Sequence, residues 1–382
     1  MKRIANTATI LLFVAALLTQ AYGFLFREAE WPATEKRPQN PPPPLVFKRW
    51  AYQVFPFMFD AYFNDRVGYR TELLDIKRDI TYGIFGESTS NIVWVGKNGW
   101  LFIDNVGQSA RSQTSEGVLE PNVEAWASVL EKRRDWLAKR GIVYIVYIAR
   151  EKSIIYPEYL PDSLQRHPPT DLVPGFLARL KQSNVPAIDP YRHLIAAKPT
   201  AIHPLYLMND SHWSGTGMSV GYRPLAEELE RAVTGYRAKP DTAFRFLPYV
   251  RLEADLTTAL GLNPGDKTEP SAHCNESNDP SIEVAHDDVA ALLVSGGKPL
   301  AHLPSRRTVC PTATPRGVML HDSFGADFRR MFSSDFQRLT AAGTYGFPTA
   351  LIEAEKPDVV IQLFVDRVLR VVPATNPPQL LP

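Results

Sequence analysis

The sequence predicts an α/β fold, with a mostly parallel central sheet covered by helices on both faces and an N-terminal membrane-anchor helix ahead of it. Three observations predict it. Strand-like and helix-like patterns alternate from about residue 93 to residue 364, as in sheets whose parallel strands are joined by helical crossovers. Residues 142–148, Ile-Val-Tyr-Ile-Val-Tyr-Ile, are apolar on both faces, which suits a central parallel strand. Residues 4–26 carry no charge and follow Lys2 and Arg3.

That opening run is an export signal, residues 1–27. Ala21-Tyr22-Gly23 has the small-x-small form of a cleavage site, so a removed signal peptide is one reading. The length favours a retained anchor, because about 20 apolar residues span a bilayer. With Lys2 and Arg3 inside, the rest of the chain lies outside the cytoplasmic membrane, tethered through residues 4–26 or released if the segment is cleaved. Residues 28–48 form a proline-rich linker; positions 38–44 read Pro-Gln-Asn-Pro-Pro-Pro-Pro, which favours an extended chain.

Residues 49–372 read as one folded domain, followed by a tail, 373–382. Hydrophobic residues make up 45% and charged residues 22% of the chain, enough apolar mass for a sizeable core. About 320 residues is long for one core, which calls for an insertion. Residues 235–316, poor in periodic pattern, are its expected place. The net charge of +1, with no basic stripe, argues against a nucleic-acid partner. Cys274 and Cys310 are the two cysteines, and outside the cytoplasm an isolated pair is expected to bond, closing a loop of about 36 residues. The aromatic cluster Trp50, Tyr52, Phe55, Phe57, Phe59, Tyr62 and Phe63 reads as core rather than as a sugar platform.

Within the domain, residues 93–103 form a hairpin around Asn98-Gly99. Asn122 caps a helix to about Arg140, ended by Gly141 and followed by the central strand. A helix at 171–181, a strand at 185–188 and a helix at 216–233 follow, the last broken or kinked at Pro224. The last strands are 317–320 and 359–364.

The candidate chemistry sits in two short stretches. Asp210-Ser211-His212-Trp213 supplies a carboxylate and an imidazole two positions apart, and in an extended segment such positions share a face. His321-Asp322-Ser323-Phe324 follows an apolar run and precedes a helical pattern, placing Ser323 on a strand-to-helix turn whose amides face a developing negative charge. A histidine, with a reference pKa of about 6.5, accepts a hydroxyl proton at neutral pH, and a neighbouring carboxylate fixes its tautomer. Asp322 is expected to cap the following helix, and Arg329 and Arg330 to form a solvated helix face. A metal reading, through His203, Asp210 and His212 or through His286-Asp287, has no established ligand spacing behind it. No metal or cofactor is expected.

These stretches, with several others, resemble the alginate O-acetyltransferase AlgJ/AlgX family, whose catalytic domain is similar to the SGNH hydrolases in circularly permuted order. Tyr62-Phe63-Asn64-Asp65-Arg66-Val67-Gly68-Tyr69-Arg70 resembles the family's opening helix, and Gly96-Lys97-Asn98-Gly99-Trp100-Leu101-Phe102 its GKDGWLF hairpin. Lys152, Tyr156-Pro157 and Leu160-Pro161 resemble the segment after the family's central strand. Asp210-Ser211-His212-Trp213 matches DTHW, Asp322-Ser323-Phe324 matches DSF, and residues 356–367 resemble the last strand. The matches span residues 55–367. The resemblance implies an SGNH hydrolase-like three-layer αβα domain with Ser323 as nucleophile, His212 as base and Asp210 as its partner.

The chain departs from the family at Ser211, where a threonine is usual and where the side chain is expected to face away from the pair. It departs again at Leu320-His321, where a hydrophobic residue and glycine are common; the added imidazole either perturbs the site or faces the back of the strand. Lys152 and Arg367 are candidate oxyanion donors, against structural ion pairing. The chain ends soon after Arg367, so the single-domain, anchored AlgJ-like form is the nearer likeness. The activity implied is transfer of acetyl through a serine ester onto a secreted polysaccharide, in the periplasm, with acetyl supplied by a membrane-bound O-acyltransferase. An acetyl esterase with the same triad, or a non-catalytic polysaccharide-binding subunit, are the rival readings.

Overall fold

The structure, a computed structural model, describes residues 2–27, 39–44, 46, 48–66, 68–104, 116–166, 170–251, 254–262, 269–277, 279–295 and 298–372. Most of the expected linker, all of the expected tail and the side chain of Trp50 lie outside the described residues. The chain forms two compact units, Met1–Ser90 with Thr258–Asn263, and Asn91–Thr257 with Pro264–Pro382.

In the first unit, α1 (Lys2–Phe26) is one helix, and its stretch Asn6–Phe26 is long and apolar enough to cross a membrane. Its 21 residues extend about 31 Å, close to the hydrocarbon thickness of a bilayer. α2 (Arg49–Arg66) and α3 (Arg70–Arg78) follow, and α3 runs on into a π-type turn, Asp79–Ile84. The described aromatic side chains of α2 are not core. Phe57 is 77% and Tyr52 64% exposed. Phe55, Phe59 and Phe63 fall one turn apart and stack on each other at 5.9 and 6.1 Å, whereas Phe57 lies toward the other face of the helix.

The second unit opens with the expected hairpin, β1 (Val93–Val95) against β2 (Leu101–Ile103), whose turn puts Asn98 at φ 53° and Gly99 at φ 79°. Both angles are left-handed, which asparagine and glycine tolerate. Then come α4 (Glu116–Ala138), β3 (Val143–Ala149), α5 (Lys152–Ile155), α6 (Val173–Gln182), β4 (Ala187–Ile188) and α7 (Gly215–Ala232). Asn122 does not cap α4; it lies inside the helix, and its Nδ2 donates to the carbonyls of Leu369 and Val372 at 2.6 and 3.3 Å. α7 continues through Pro224 without a break.

The rest comprises β5 (Phe244–Arg251), α8 (Asp255–Ala259), β6 (Glu269–Glu276), β7 (Ile282–Val284), β8 (Val294–Ser295), β9 (Lys298–Pro299), β10 (Leu303–Val309), β11 (Arg316–His321), α9 (Gly325–Phe328), β12 (Arg338–Gly343), α10 (Thr349–Glu355) and β13 (Val359–Val365). A seven-stranded sheet runs in the order β4-β3-β13-β11-β12-β10-β7. Its first five strands are parallel, and β10 and β7 are antiparallel additions at one edge. Residues 235–316 therefore contribute two strands of this sheet besides the separate β5–β6 hairpin.

The two faces are covered by different helices. On β13, Gln362 and Phe364 meet Arg133 and Trp126 of α4, whereas Tyr147, in register with the intervening Leu363, donates to Gly221 O of α7. Residues of opposite parity point to opposite faces, so α4 and α7 form the two outer layers of an αβα sandwich. β3 and β13 are buried almost throughout, as their unbroken apolar sequence requires.

The expected disulfide is absent. Cys274 and Cys310 are both free and buried. Cys274 sits on β6 opposite Phe246, in a different sheet from β10, and Cys310, just after β10, places Sγ 3.1 Å from Thr312 Oγ1. Burial pushes the Cys274 thiol up to about 12, so it stays protonated.

Candidate active site

Three parallel strands end on one edge and release the segments that carry the candidate residues: β3 into Arg150-Glu151-Lys152, β11 into Asp322-Ser323-Phe324, and β13 into Asp366-Arg367. The carboxyl edge of such a sheet is where open α/β folds place their sites. Asp210 and His212 are not on a strand. They lie in a loop pinched by a single bridge between Tyr206 and Trp213.

The proximity of Asp210 and His212 comes from a tight turn rather than strand alternation. Asp210 Oδ1 accepts the backbone N–H of His212 at 3.0 Å and its ring Nδ1–H at 2.6 Å. Asp210 is 1% exposed, so its carboxylate is held by these bonds in a dry setting. A second carboxylate completes the arrangement. Asp255, the first residue of α8, accepts the N–H of Ser211 at 2.8 Å and its hydroxyl, and its Oδ2 lies 3.6 Å from His212 Nδ1. Its own N–H donates to Asp210 Oδ2 at 3.1 Å. Ser211 therefore does not face away from the pair. It is buried, and its hydroxyl lies between Asp255 and the imidazole, 3.4 Å from Nδ1.

Burial disfavours the charged imidazolium of His212. The hydrogen bond that the ring donates to Asp210 and the negative charges of Asp210 and Asp255 outweigh it, and the pKa is raised despite opposition from Arg367. On the other side of the ring, Nε2 is buried and has no hydrogen-bond partner among the described residues. That is the tautomer of a base: Nδ1–H bound to carboxylate, Nε2 left to accept.

Ser323 is half-buried at the start of the turn after β11. The turn meets the His212 loop through Phe324, whose ring centroid is 5.0 Å from that of His212 and whose carbonyl accepts the indole N–H of Trp213 at 3.2 Å. No hydrogen bond joins Ser323 to His212 in this structure: Asp210 and His212 are brought into contact, and Ser323 lies on the turn whose Phe324 ring packs against the imidazole. The amides after it are committed: Phe324 N–H donates to Asp322 Oδ1 and Gly325 N–H to the Asp322 carbonyl. α9, with four residues, adds little dipole. Asp322 does not cap α9, whose N-cap position is Phe324; its Oδ1 closes the turn before the helix and its Oδ2 accepts the N–H of Val365 at 2.7 Å, pinning the turn to β13.

The neighbouring candidates have structural duties. Lys152, fully buried, donates to the carbonyls of Leu207, Met208 and Asp210 at 2.9, 3.2 and 2.7 Å; it clamps the loop that carries the pair. Arg367 pairs with Glu151 and lies over the Phe324 ring at 5.3 Å, so its charge reaches the site. Arg329 is buried rather than solvated, 4.0 Å from Glu283, whereas Arg330 is exposed. His321 shares its register with Leu363, on the α7 side of the sheet, and its Nδ1–H donates to the Asp322 carbonyl at 2.7 Å. Burial drops its pKa to about 4, so it stays neutral at neutral pH. Gly325 is needed above it, because a Cβ there would come within 2.3 Å of His321 Cβ.

Among the described residues, one acidic-imidazole cluster has the compactness of a cation site, Asp210, His212 and Asp255, with ligand atoms within 4.8 Å of one another. His203 is not part of it. The two carboxylates are already engaged by Ser211 N–H, Ser211 Oγ–H, His212 N–H and Asp255 N–H, a set of donors that suits hydrogen-bonded anions. Asp255 was not legible beforehand: it lies in a stretch without periodic pattern, and no spacing rule links it to His212.

Comparison with known proteins bears on the fold and the family. The chain is 27% identical over 171 residues to a Pseudomonas aeruginosa protein described as "Probable alginate O-acetylase AlgJ", covering 45% of this chain and 41% of that one. The counterpart from Pseudomonas syringae pv. tomato is 27% identical over 195 residues, 48% and 45% of the two chains. The chain thus spans less than half the length of these curated relatives. Among solved structures, Bacillus cereus PatB1 superposes with a TM-score of 0.55 at 13% identity, covering 76% of this chain and 99% of that one, a likeness of fold. Residues 93–303, which include Asp210, His212 and Asp255 and stop short of Ser323, match the family described as "SGNH hydrolase-like domain, acetyltransferase AlgX". That match takes in more than half of the chain, and the chain belongs to this AlgX family of SGNH hydrolase-like domains.

Proposed function

We propose that this protein is an extracytoplasmic O-acetyltransferase that moves acetyl, through a serine ester, onto hydroxyls of an alginate-like polysaccharide. The observation that carries the reading is His212: its Nδ1 is bound to a buried carboxylate and its Nε2 is an unsatisfied acceptor beside the turn that presents Ser323. In the first half-reaction Ser323 Oγ attacks the acetyl carbonyl of a donor ester. His212 Nε2 takes the hydroxyl proton and returns it to the leaving group, leaving acetyl-Ser323. In the second, a sugar hydroxyl attacks the ester and gives its proton to His212; Ser323 departs and recovers it. The Ser323 N–H stabilises the oxyanion in both steps. No metal or cofactor takes part in this scheme.

The relatives described as alginate O-acetylases support the acetyl group and the acceptor class. The apolar helix Lys2–Phe26 supports placement at the inner membrane on its periplasmic side, where acetyl would come from a membrane-bound O-acyltransferase. The test incubates the chain, wild type and Ser323→Ala, with an activated acetyl ester and oligouronate acceptors, followed by mass spectrometry. Acetylated oligosaccharide that disappears in Ser323→Ala is the expected result. Free acetate as the sole Ser323-dependent product identifies an esterase instead, and no product from either chain overturns the catalytic reading.

A further inference from the structure

The first unit carries apolar surface well beyond α1. Tyr52, Phe57 and Phe59 on α2, and Ile76, Ile84 and Phe85 along α3 and its π-type turn, are 43–77% exposed. Apolar patches of this extent mark contact with a membrane or a partner. These patches are joined to the end of α1. The Phe24 ring lies 4.8 Å from Phe63 and 6.4 Å from Tyr62. Gly23 and Gly68 touch backbone to backbone, so that a Cβ on Gly68 would come within 2.2 Å of Gly23 Cα. Arg27 pairs with Glu72 at 2.8 Å and lies over the Tyr69 ring at 4.5 Å. The last turn of α1 is therefore fixed to the junction of α2 and α3.

We propose that α2 and α3 lie in the membrane interface on the side where α1 emerges, with Phe57 and Ile84 among the lipid chains. The inference rests on α1 being retained as an anchor. If Lys2 and Arg3 stay inside, Phe26 and Arg27 mark the far boundary of the bilayer, and the α2–α3 junction bound to them sits at headgroup depth. The occupant of the exposed faces is lipid rather than protein because the helices that carry them are fixed to the end of α1, the segment long and apolar enough to cross a bilayer. Their composition is interfacial too. Tyr62, Phe63, Tyr69, Tyr82 and Phe85 stand among charged residues of both signs, an amphipathic mixture that suits the boundary between acyl chains and headgroups.

The experiment uses the full chain in proteoliposomes, in a Cys274→Ala, Cys310→Ala background, with nitroxide labels at Phe57→Cys, Ile84→Cys and, as a water-exposed control in the other unit, Lys181→Cys. Collision rates with oxygen and with a water-soluble nickel chelate are read by electron paramagnetic resonance. The expected result is a higher oxygen-to-nickel ratio at 57 and 84 than at 181. Equal ratios at all three positions place the helices in water and overturn the proposal. Labels at 57 and 84 that are immobilised and shielded from both reagents show a protein partner or a second copy there, and also overturn it. Intact mass reports the anchor separately: loss of the first twenty-odd residues overturns the anchor reading and, with it, the proposal, whereas a full-length chain leaves the collision data to decide.

Discussion

At the scale of single residues, the chemistry of His212 depends on two carboxylates that reach it from different parts of the chain. Asp210 binds Nδ1 directly, while Asp255 stands 3.6 Å away and holds both Ser211 and, through its own N–H, Asp210. Because both negative charges favour imidazolium, a ¹⁵N NMR titration of the wild type is expected to place the His212 midpoint above about 6.5, the value of a free histidine. Asp255→Asn lowers that midpoint and Asp210→Asn lowers it further; a midpoint unmoved by Asp255→Asn contradicts the role given to its charge. The direction for stability follows. A folded-state pKa above the unfolded one stabilises the fold fully below about pH 6.5 and loses that contribution as pH rises through the raised value. Activity runs the other way, since the base must be neutral: its acid limb should rise through the same midpoint. Asp210→Ala is expected to cost on the order of 10³–10⁴ in kcat, as loss of the tautomer-fixing carboxylate does elsewhere. The Asp210–His212 pair was legible because both residues sit in one four-residue motif. Asp255 was not, because a charge that acts across 43 positions leaves no periodic trace.

At the scale of elements, the loop that carries the pair is held by a cation. Lys152, at the start of α5, puts three of its donor contacts on the carbonyls of Leu207, Met208 and Asp210, with the rings of Trp100 and Phe102 at 5.6 and 5.1 Å. Lys152→Met keeps the stem and removes the ammonium, taking a charged donor from three carbonyls, of which that of Met208 keeps the Leu101 N–H at 3.0 Å. A hydrogen bond from a charged group contributes about 1.5–3 kcal/mol, so the variant should unfold at lower temperature. Hydrogen exchange at residues 205–213 should accelerate more than exchange in β3 or β13, which distinguishes a loosened clamp from general destabilisation; uniform acceleration would refute the clamp. The central strands were readable because an apolar run on both faces has few other uses. β12 was not: Arg338-Leu339-Thr340-Ala341-Ala342-Gly343 lacks alternation and has Thr340 as its one β-branched residue beside two alanines and a glycine, and it is a strand because β11 and β10 flank it. The disulfide expectation failed for the same reason. Compartment and loop length speak to whether two thiols would benefit from bonding, and only the pairing of β6 with β5 shows that they are held in different sheets.

At the scale of the whole molecule, the candidate site and the membrane-facing surface belong to different compact units. Asp210, His212, Asp255, Lys152, Ser323 and Arg367 all lie in the second; α1, α2 and α3 lie in the first. A chain that begins after Arg27 lacks α1 but keeps both the site and the exposed faces of α2 and α3. Its His212 midpoint and its Ser323-dependent turnover of a small soluble acetyl ester should match those of the full chain, because no residue of the site has been removed. Its behaviour in water should differ, since Phe57, Ile84 and Phe85, each more than two-thirds exposed, then have neither lipid nor protein to cover them. Sedimentation velocity in detergent-free buffer is expected to show self-association, reversed by lipid vesicles. Substituting Phe57→Ser and Ile84→Ser together in the shortened chain should restore a monomer with the turnover unchanged. A shortened chain that is monomeric without these substitutions would show that water accepts those faces. A turnover that falls with truncation would show that the first unit contributes to the chemistry as well as to its placement.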